Sequence, residues 1–260
     1  MHKRTILLTA FLLLLAGSKP TAGQQPGKVA NQRVPVLVEL FTSEGCSDCP
    51  PADSLLAKLD RAQPIPGAEV IALSEHVDYW NRLGWADPYS SAFYSQRQRD
   101  YSDRFGLNSA YTPQMVVDGN NEFVGSDERR AHSAIAEAAS KDKTEIHISD
   151  LRVEGDYFRF RLQADAPRNQ AAEAYVVLAD NSDTSQVARG ENSGRTLSHV
   201  AVARVFSPAE HIAKNAALDK EFRMNAHSLN RNNLRLIAFL QEANHGRVLG
   251  AAMKDLSSLQ

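Results

Sequence analysis

Cysteine occurs twice in this 260-residue chain, at Cys46 and Cys49, inside "VELFTSEGCSDCPP" (Val38 to Pro51). Thiols at this spacing can form a redox couple, donate two soft ligands to a metal, or clip the chain. A loop that short removes little freedom from the unfolded chain, so the clip is the weakest of the three readings. As a redox couple, Cys46 would be the more exposed, attacking sulfur, and Cys49 would resolve the mixed disulfide. As a Cu(I) or Zn(II) site the pair would need a further ligand, for which His76 is the candidate.

His76 stands in "SEHVDYW" (Ser74 to Trp80). That segment follows a strand expected to run parallel to the one before Cys46, which brings its end to the same sheet edge. Glu75, His76 and Asp78 are therefore candidates to face the thiols, with His76 and Asp78 placed to shuttle a proton. The alternative is a histidine that only caps the strand end. Trp80, with Tyr79 and Trp85, would either wall a groove for a protein substrate or close the core where a loop crosses the sheet edge. His199, His211, His227 and His245 show no metal-ligand spacing. "GENSGR" (Gly190 to Arg195) reads as a plain polar turn, since it lacks the strand–loop–helix setting of a phosphate loop.

The elements that must position these groups follow from periodicity. "PVLVELF" and "AEVIALSEHV" are apolar, β-branched runs suited to strands buried on both faces. Between them "ADSLLAKLDRA" puts Ala52, Leu55, Leu56 and Leu59 on one helical face, with Asp53, Lys58 and Asp60 toward water. Asp87 and Pro88 read as a cap and first turn, opening a helix that runs to Arg104 and stops near Gly106. Met115 to Val117 and Glu122 to Val124 read as a hairpin across "DGNN". Ser126 or Asp127 then opens a helix with Ala131, Ala134, Ile135 and Ala138 inward. This order fits one mixed sheet covered by helices. From Thr144 onward about eight short runs, several alternating, suggest an immunoglobulin-like antiparallel β-sandwich. "SPAEHIAKNAALD" could hold a short helix.

Local charge bears on the thiols. Glu44 and Asp48 flank Cys46, Asp53 follows, and no basic residue is near in sequence. Negative neighbours disfavour a thiolate. Pro50 disfavours an α conformation at Cys49, so the helix should begin at Pro50 or Pro51, with its dipole reaching Cys46 only weakly. The expectation is a Cys46 less acidic than in a strong oxidase, in a couple suited to a reductant or a mild isomerase.

The element order, the Cys46–Cys49 motif after the first strand and Thr112-Pro113 before the hairpin together resemble a thioredoxin fold. More narrowly, "VELFTSEGCSDCPPAD", "HVDYWNRLGW", "YTPQMVVDG" and "ARGENSGR" resemble a family of secreted bacterial thioredoxin-like proteins labelled as a domain of unknown function. The resemblance implies that Pro113 is a cis proline lying against the sulfurs, and that Thr112 offers backbone hydrogen bonds to a bound polypeptide. With the strand pattern of the second half, the expected fold class is an α/β thioredoxin-like domain over 34–142 followed by an all-β, immunoglobulin-like sandwich over 143–260. The chain departs from the thioredoxin pattern in having no tryptophan before Cys46 and no Gly-Pro between the cysteines. C-x-x-C-P with a distant histidine is also similar to thioredoxin-like copper chaperones, which have one more residue between their cysteines.

Lys and Arg number 29 against 31 Asp and Glu, so no basic excess points to nucleic acid or an anionic membrane. "MHKRTILLTAFLLLLAGSKPTAG" has a positive start, an apolar run shorter than the ~18 residues of a membrane span, and small residues after it. It reads as a secretory leader over 1–23, with a polar linker over 24–33 and no membrane span in the mature chain. The expected function is an exported, periplasmic or secreted thiol-disulfide oxidoreductase acting on protein substrates with an unknown redox partner and no dissociable cofactor. The alternatives are a metallochaperone using Cys46, Cys49 and His76, or a non-catalytic redox-sensitive binding module.

Overall fold

Two apolar runs begin the sheet: β1 (Val34–Thr42) and β2 (Ala68–His76) pair in parallel from Val34 with Ala68 to Thr42 with His76. The computed structural model describes residues 33–167 and 170–259. The expected leader, and the expected linker up to its last residue, lie outside the described residues. Parallel pairing needs a crossover, and α1 (Pro50–Ala62) supplies it, burying Ala52, Leu55, Leu56 and Leu59 on the sheet. Asp53, expected toward water, is buried instead, because the Thr42 hydroxyl donates to its carboxylate at 2.9 Å.

The next helix starts later than Asp87-Pro88 suggests. α2 (Ala92–Phe105) is capped by Ser91, whose hydroxyl accepts the Phe93 N–H, and it ends at Gly106 in the left-handed region as expected. Asp87 is drawn into the candidate site described below. β3 (Gln114–Val117) pairs antiparallel with β1 and turns into β4 (Asn121–Val124). Asp127 caps α3 (Glu128–Ala139), whose Ala131, Ala134, Ile135 and Ala138 are buried as expected.

Eight strands follow: β5 (Ile146–Glu154), β6 (Tyr157–Ala164), β7 (Ala172–Gln186), β8 (Thr196–Phe206), β9 (Glu210–Ile212), β10 (Leu218–Asn225), β11 (Leu234–Glu242) and β12 (Val248–Asp255). They do not make a sandwich of their own, and here the expected fold class fails. The molecule is mostly β-sheet, built on one nine-stranded mixed sheet of order β12-β11-β7-β8-β2-β1-β3-β4 with β9 on β7. β8 lies parallel to β2, meeting it at Ser74 and Val202, so the second half extends the sheet of the first. Only β10, β6 and β5 form a second, three-stranded sheet, which closes an apolar core against β7 and β11 through Phe158, Phe160, Leu162, Val176 and Leu236. Residues Arg33–Gln260 are accordingly one compact unit, not a small α/β thioredoxin domain beside a separate all-β one.

The physical reason lies at the outer edge of β2. That strand is buried on both faces, and an uncovered edge would leave its backbone groups unpaired in the core; β8 meets that edge at Ser74. Alternation in β8 would look the same in a separate sandwich. The segment expected to hold a helix carries β9 instead. No helix among the described residues is long and apolar enough to cross a membrane.

Candidate functional site

The C-terminal end of β1 leads through Ser43, Glu44 and Gly45 to Cys46, and successive tight turns carry the chain into α1. Cys46 N–H donates to Ser43 O and Cys49 N–H to Cys46 O, both at 3.2 Å. Cys49 is the N-cap of α1 and, contrary to expectation, has α backbone angles (φ −77°, ψ −38°) despite the following proline. Its carbonyl already accepts from Ala52 and Asp53 N–H, which ties it to the first helical turn. The two cysteines form a disulfide, with Cα atoms 5.4 Å apart.

Neither sulfur-bearing residue is open. Cys46 is 1% exposed and Cys49 0%, so the expected difference in exposure between them is negligible; Ser47 and Asp48 between them are exposed. On one flank Trp80 packs over the loop: a methyl on Gly45 would lie 3.1 Å from Trp80 Cβ. Trp80 Nε1 donates to Thr112 Oγ1 at 2.8 Å, and the Thr112-Pro113 peptide bond is cis. Pro113 is beside the helix start, since a methyl on Gly125 would sit 3.2 Å from Pro113 Cβ and 3.1 Å from Ala52 Cβ. The structure thus brings Cys46, Cys49, Trp80, Thr112 and Pro113 around one helix N-terminus.

Glu75, His76 and Asp78 at the end of β2 divide instead. The period of two puts Glu75 on the α2 face with Ile71 and Leu73, and His76 on the opposite face with Val70 and Ala72. Glu75 lies 3.7 Å from Arg97, and burial together with the adjacent Glu39 carboxylate raises its pKa well above the carboxylate range. Asp78 is tied to α2 by a 2.6 Å hydrogen bond from Ser95 Oγ. Of the three, only His76 turns toward the α1 side. It is fully buried, its Nδ1 is 2.7 Å from Asp87 Oδ2, and its Nε2 has no hydrogen-bond partner.

Asp87 links His76 to the cysteine loop, because its Oδ2 also accepts the Glu44 N–H at 2.8 Å. Burial would raise the Asp87 pKa, but His76 and the N–H donors of Glu44 and Tyr89 outweigh it and hold the carboxyl low. Glu44 itself is buried. Its side chain accepts from Trp85 Nε1 at 2.7 Å and from Ser185 Oγ, and it lies 3.3 Å from His199 Nε2. His199 sits edge-on to His76, ring centroids 4.6 Å apart, with Asp53 at 3.8 Å from its Nδ1. Burial alone would lower the His199 pKa; the carboxylates of Asp53 and Glu44 override it and raise it to about 10. In turn Glu44 is lowered against its burial by His199, Ser185 and Trp85.

Sequence reading missed Glu44, His199 and Asn192 as a connected set. The available signal was an inward position for His199 in the alternating "TLSHVAV" and an asparagine in a glycine-flanked turn. No basic residue is near the acidic neighbours of Cys46 in sequence, but the fold brings one: the imidazolium of His199 on β8 meets Glu44 and Asp53. Among the described residues no three His, Cys, Asp or Glu side chains converge as a metal site, so Cys46, Cys49 and His76 are not gathered into one.

Residues 37–241 match the family described as "Protein of unknown function (DUF1223)". An X-ray structure of a structural-genomics target from Agrobacterium tumefaciens is 25% identical, with a TM-score of 0.68, covering 89% of this chain and 98% of that one. OgpA from Akkermansia muciniphila is 14% identical over 49% of this chain and 34% of its own, at a TM-score of 0.25. CsgH from R. palustris is 9% identical over 45% of this chain and 96% of its own, at a TM-score of 0.22. No curated protein matches the chain.

Proposed function

The chain belongs to the DUF1223 family, whose description names no reaction, and from the chemistry of its site we propose an exported thiol-disulfide oxidoreductase acting on proteins. The observation that carries this reading is the Cys46–Cys49 disulfide at the N-cap of α1, with Trp80, Thr112 and Pro113 beside it. A staple explains the pair poorly, because so short a loop is worth about 2 kcal/mol at most in the chain-entropy model. Helix N-terminal N–H groups favour a thiolate formed there. The proline before the hairpin and the C-x-x-C before the helix also support placing the β1-to-α3 segment among thioredoxin-like proteins.

In the reducing direction a dithiol donor opens the Cys46–Cys49 bond and is itself oxidised to a disulfide. The Cys46 thiolate then attacks a client disulfide. The client S–S bond breaks, and the electron pair leaves on the client's second sulfur, which takes a proton. Cys49, as thiolate, attacks the Cys46 sulfur of the mixed disulfide, restoring the internal bond; the electron pair leaves on the client's first sulfur, which takes a proton and departs as a thiol. The exposed Ser47 and Asp48 offer the first contact for a client whose sulfur must then reach a covered Cys46.

The test is turnover of insulin disulfides with a dithiol donor, expected for the unmodified chain and lost in Cys46→Ser. Cys49→Ser should accumulate covalent complexes with clients from cell extracts through Cys46. Absence of both turnover and trapped complexes overturns the reading.

A further inference from the structure

The turn "GENSGR", unremarked by any chemical motif, lies across the loop that carries the cysteines. Asn192 is fully buried, and its Nδ2 donates to Glu44 O at 2.9 Å and to Cys46 O at 2.8 Å. Arg195 Nη1 donates to Asn192 Oδ1 at 2.7 Å, which fixes which way the amide faces. Gly190, at φ +78°, lets the strap pass close over Trp85, where a methyl would stand 3.3 Å from Trp85 Cβ. Between these anchors Glu191 Oε2 accepts the Ser47 N–H at 3.0 Å. Cys46 C=O and Ser47 N–H belong to one peptide unit, so Asn192 and Glu191 grip both polar ends of the same peptide.

Apart from Asp48, the other charged groups around Cys46 are already engaged. Glu44 and Asp53 face the His199 imidazolium, Asp87 meets His76, and Arg195 serves Asn192. Asp48, on the loop itself, is exposed. Glu191, itself exposed, is the carboxylate hydrogen-bonded to the peptide of Cys46. A fixed negative charge beside a thiol disfavours the thiolate.

Resting on the redox reading above, we propose that Glu191 is a positioning residue of the redox centre: delivered by Asn192 from the far half of the chain, it holds down the acidity of the Cys46 thiol and so favours the disulfide form. This makes the pair a weaker oxidant than the bare helix terminus would be.

Two measurements on the full chain test it. The first is the pH profile of Cys46 alkylation in the reduced protein. The second is the equilibrium with glutathione, in which two glutathione thiols become glutathione disulfide as the Cys46–Cys49 bond is reduced to two thiols. Glu191→Gln keeps an acceptor for Ser47 N–H and removes the charge. It should move the alkylation midpoint to lower pH and shift the equilibrium toward the dithiol about two- to fivefold, the scale of one exposed charge near a helix terminus. Glu191→Asp should restore the unmodified behaviour. A Glu191→Gln profile and equilibrium equal to the unmodified chain's overturn the role of Glu191 and leave the redox reading standing. An unmodified disulfide that never exchanges with glutathione overturns both, and it is scored before any substitution is made.

Discussion

His199 Nε2 lies 3.3 Å from Glu44 Oε1, joining two buried residues 155 positions apart. The contact holds the cysteine loop against β8, because Glu44 is two residues before Cys46 and its other carboxylate oxygen is taken by Trp85. It also decides the local electrostatics. A carboxylate next to a thiol would depress its acidity, but this one is turned inward and matched by an imidazolium. The negative charge left on the loop's own peptide is that of Glu191.

The His199 pairing predicts a specific pH dependence of stability. The folded-state pKa, about 10, is above the free value of 6.5. The stabilisation is therefore complete below the free value and is lost as the pH rises through the folded one. Glu44 works in the opposite sense: its lowered pKa gives stability above its ordinary range that disappears as the pH falls. His199→Gln should lower unfolding free energy by about 3 kcal/mol, the low end for breaking a buried pair, since Trp85 and Ser185 still hold Glu44. Urea unfolding at a series of pH values should show a decline on the alkaline side for the unmodified chain and a flatter profile for the variant.

Gly125 predicts how tightly Pro113 is held to the helix that follows the cysteines. A methyl there would meet Leu40 Cδ1 at 2.7 Å, Ala52 Cβ at 3.1 Å and Pro113 Cβ at 3.2 Å. Leu40 can rotate, but Ala52 and Pro113 cannot, so overpacking should cost about 1–2 kcal/mol. Gly125→Ala is expected to lower the denaturant midpoint and to change the rate at which the disulfide reacts with a small thiol. Cycles of reduction and reoxidation followed by mass spectrometry would read the second effect.

What the sequence made legible was local. The β1-α1-β2 crossover followed from apolar runs bracketing Ala52, Leu55, Leu56 and Leu59, and α3 from Asp127 and its alanine face. The spacing of Cys46 and Cys49 is legible in the sequence, and the fold adds the Trp80–Thr112 hydrogen bond and the approach of Pro113 to Ala52. Long-range competition hid the rest. Asp87 has the form of a cap, yet the Glu44 N–H and His76 take its carboxylate and Ser91 caps α2 instead. His199 alternates inward in β8, but its partners lie on the first half of the chain. Asn192 sits in a turn whose composition says only that it turns. The sandwich was expected for the same reason: the pattern of β7 and β8 fixes which face is buried, not which neighbouring strand completes the sheet.

Arg97 shows what that completion depends on, and it supplies the sharpest stability test. Its guanidinium, on α2, is buried and donates to Glu39 Oε1 of β1 from Nε at 2.8 Å and from Nη2 at 2.6 Å. Nη2 also reaches Gln241 Oε1 of β11 at 3.0 Å, while the rings of Tyr101, Tyr175, Phe206 and Phe239 surround the cation at 5.1–5.5 Å. First-half and second-half strands thus share one buried charge pair. Arg97→Met would leave the Glu39 carboxylate in an apolar site with Tyr101 OH, at 2.6 Å, as a remaining donor. Losing one member of such a pair costs about 3–5 kcal/mol, whereas exchanging both for neutral side chains is far less damaging. The double variant Glu39→Gln with Arg97→Met should therefore recover much of what Arg97→Met loses in thermal and urea unfolding. If the double variant is as unstable as the single one, the loss comes from packing against the four rings and not from an orphaned charge.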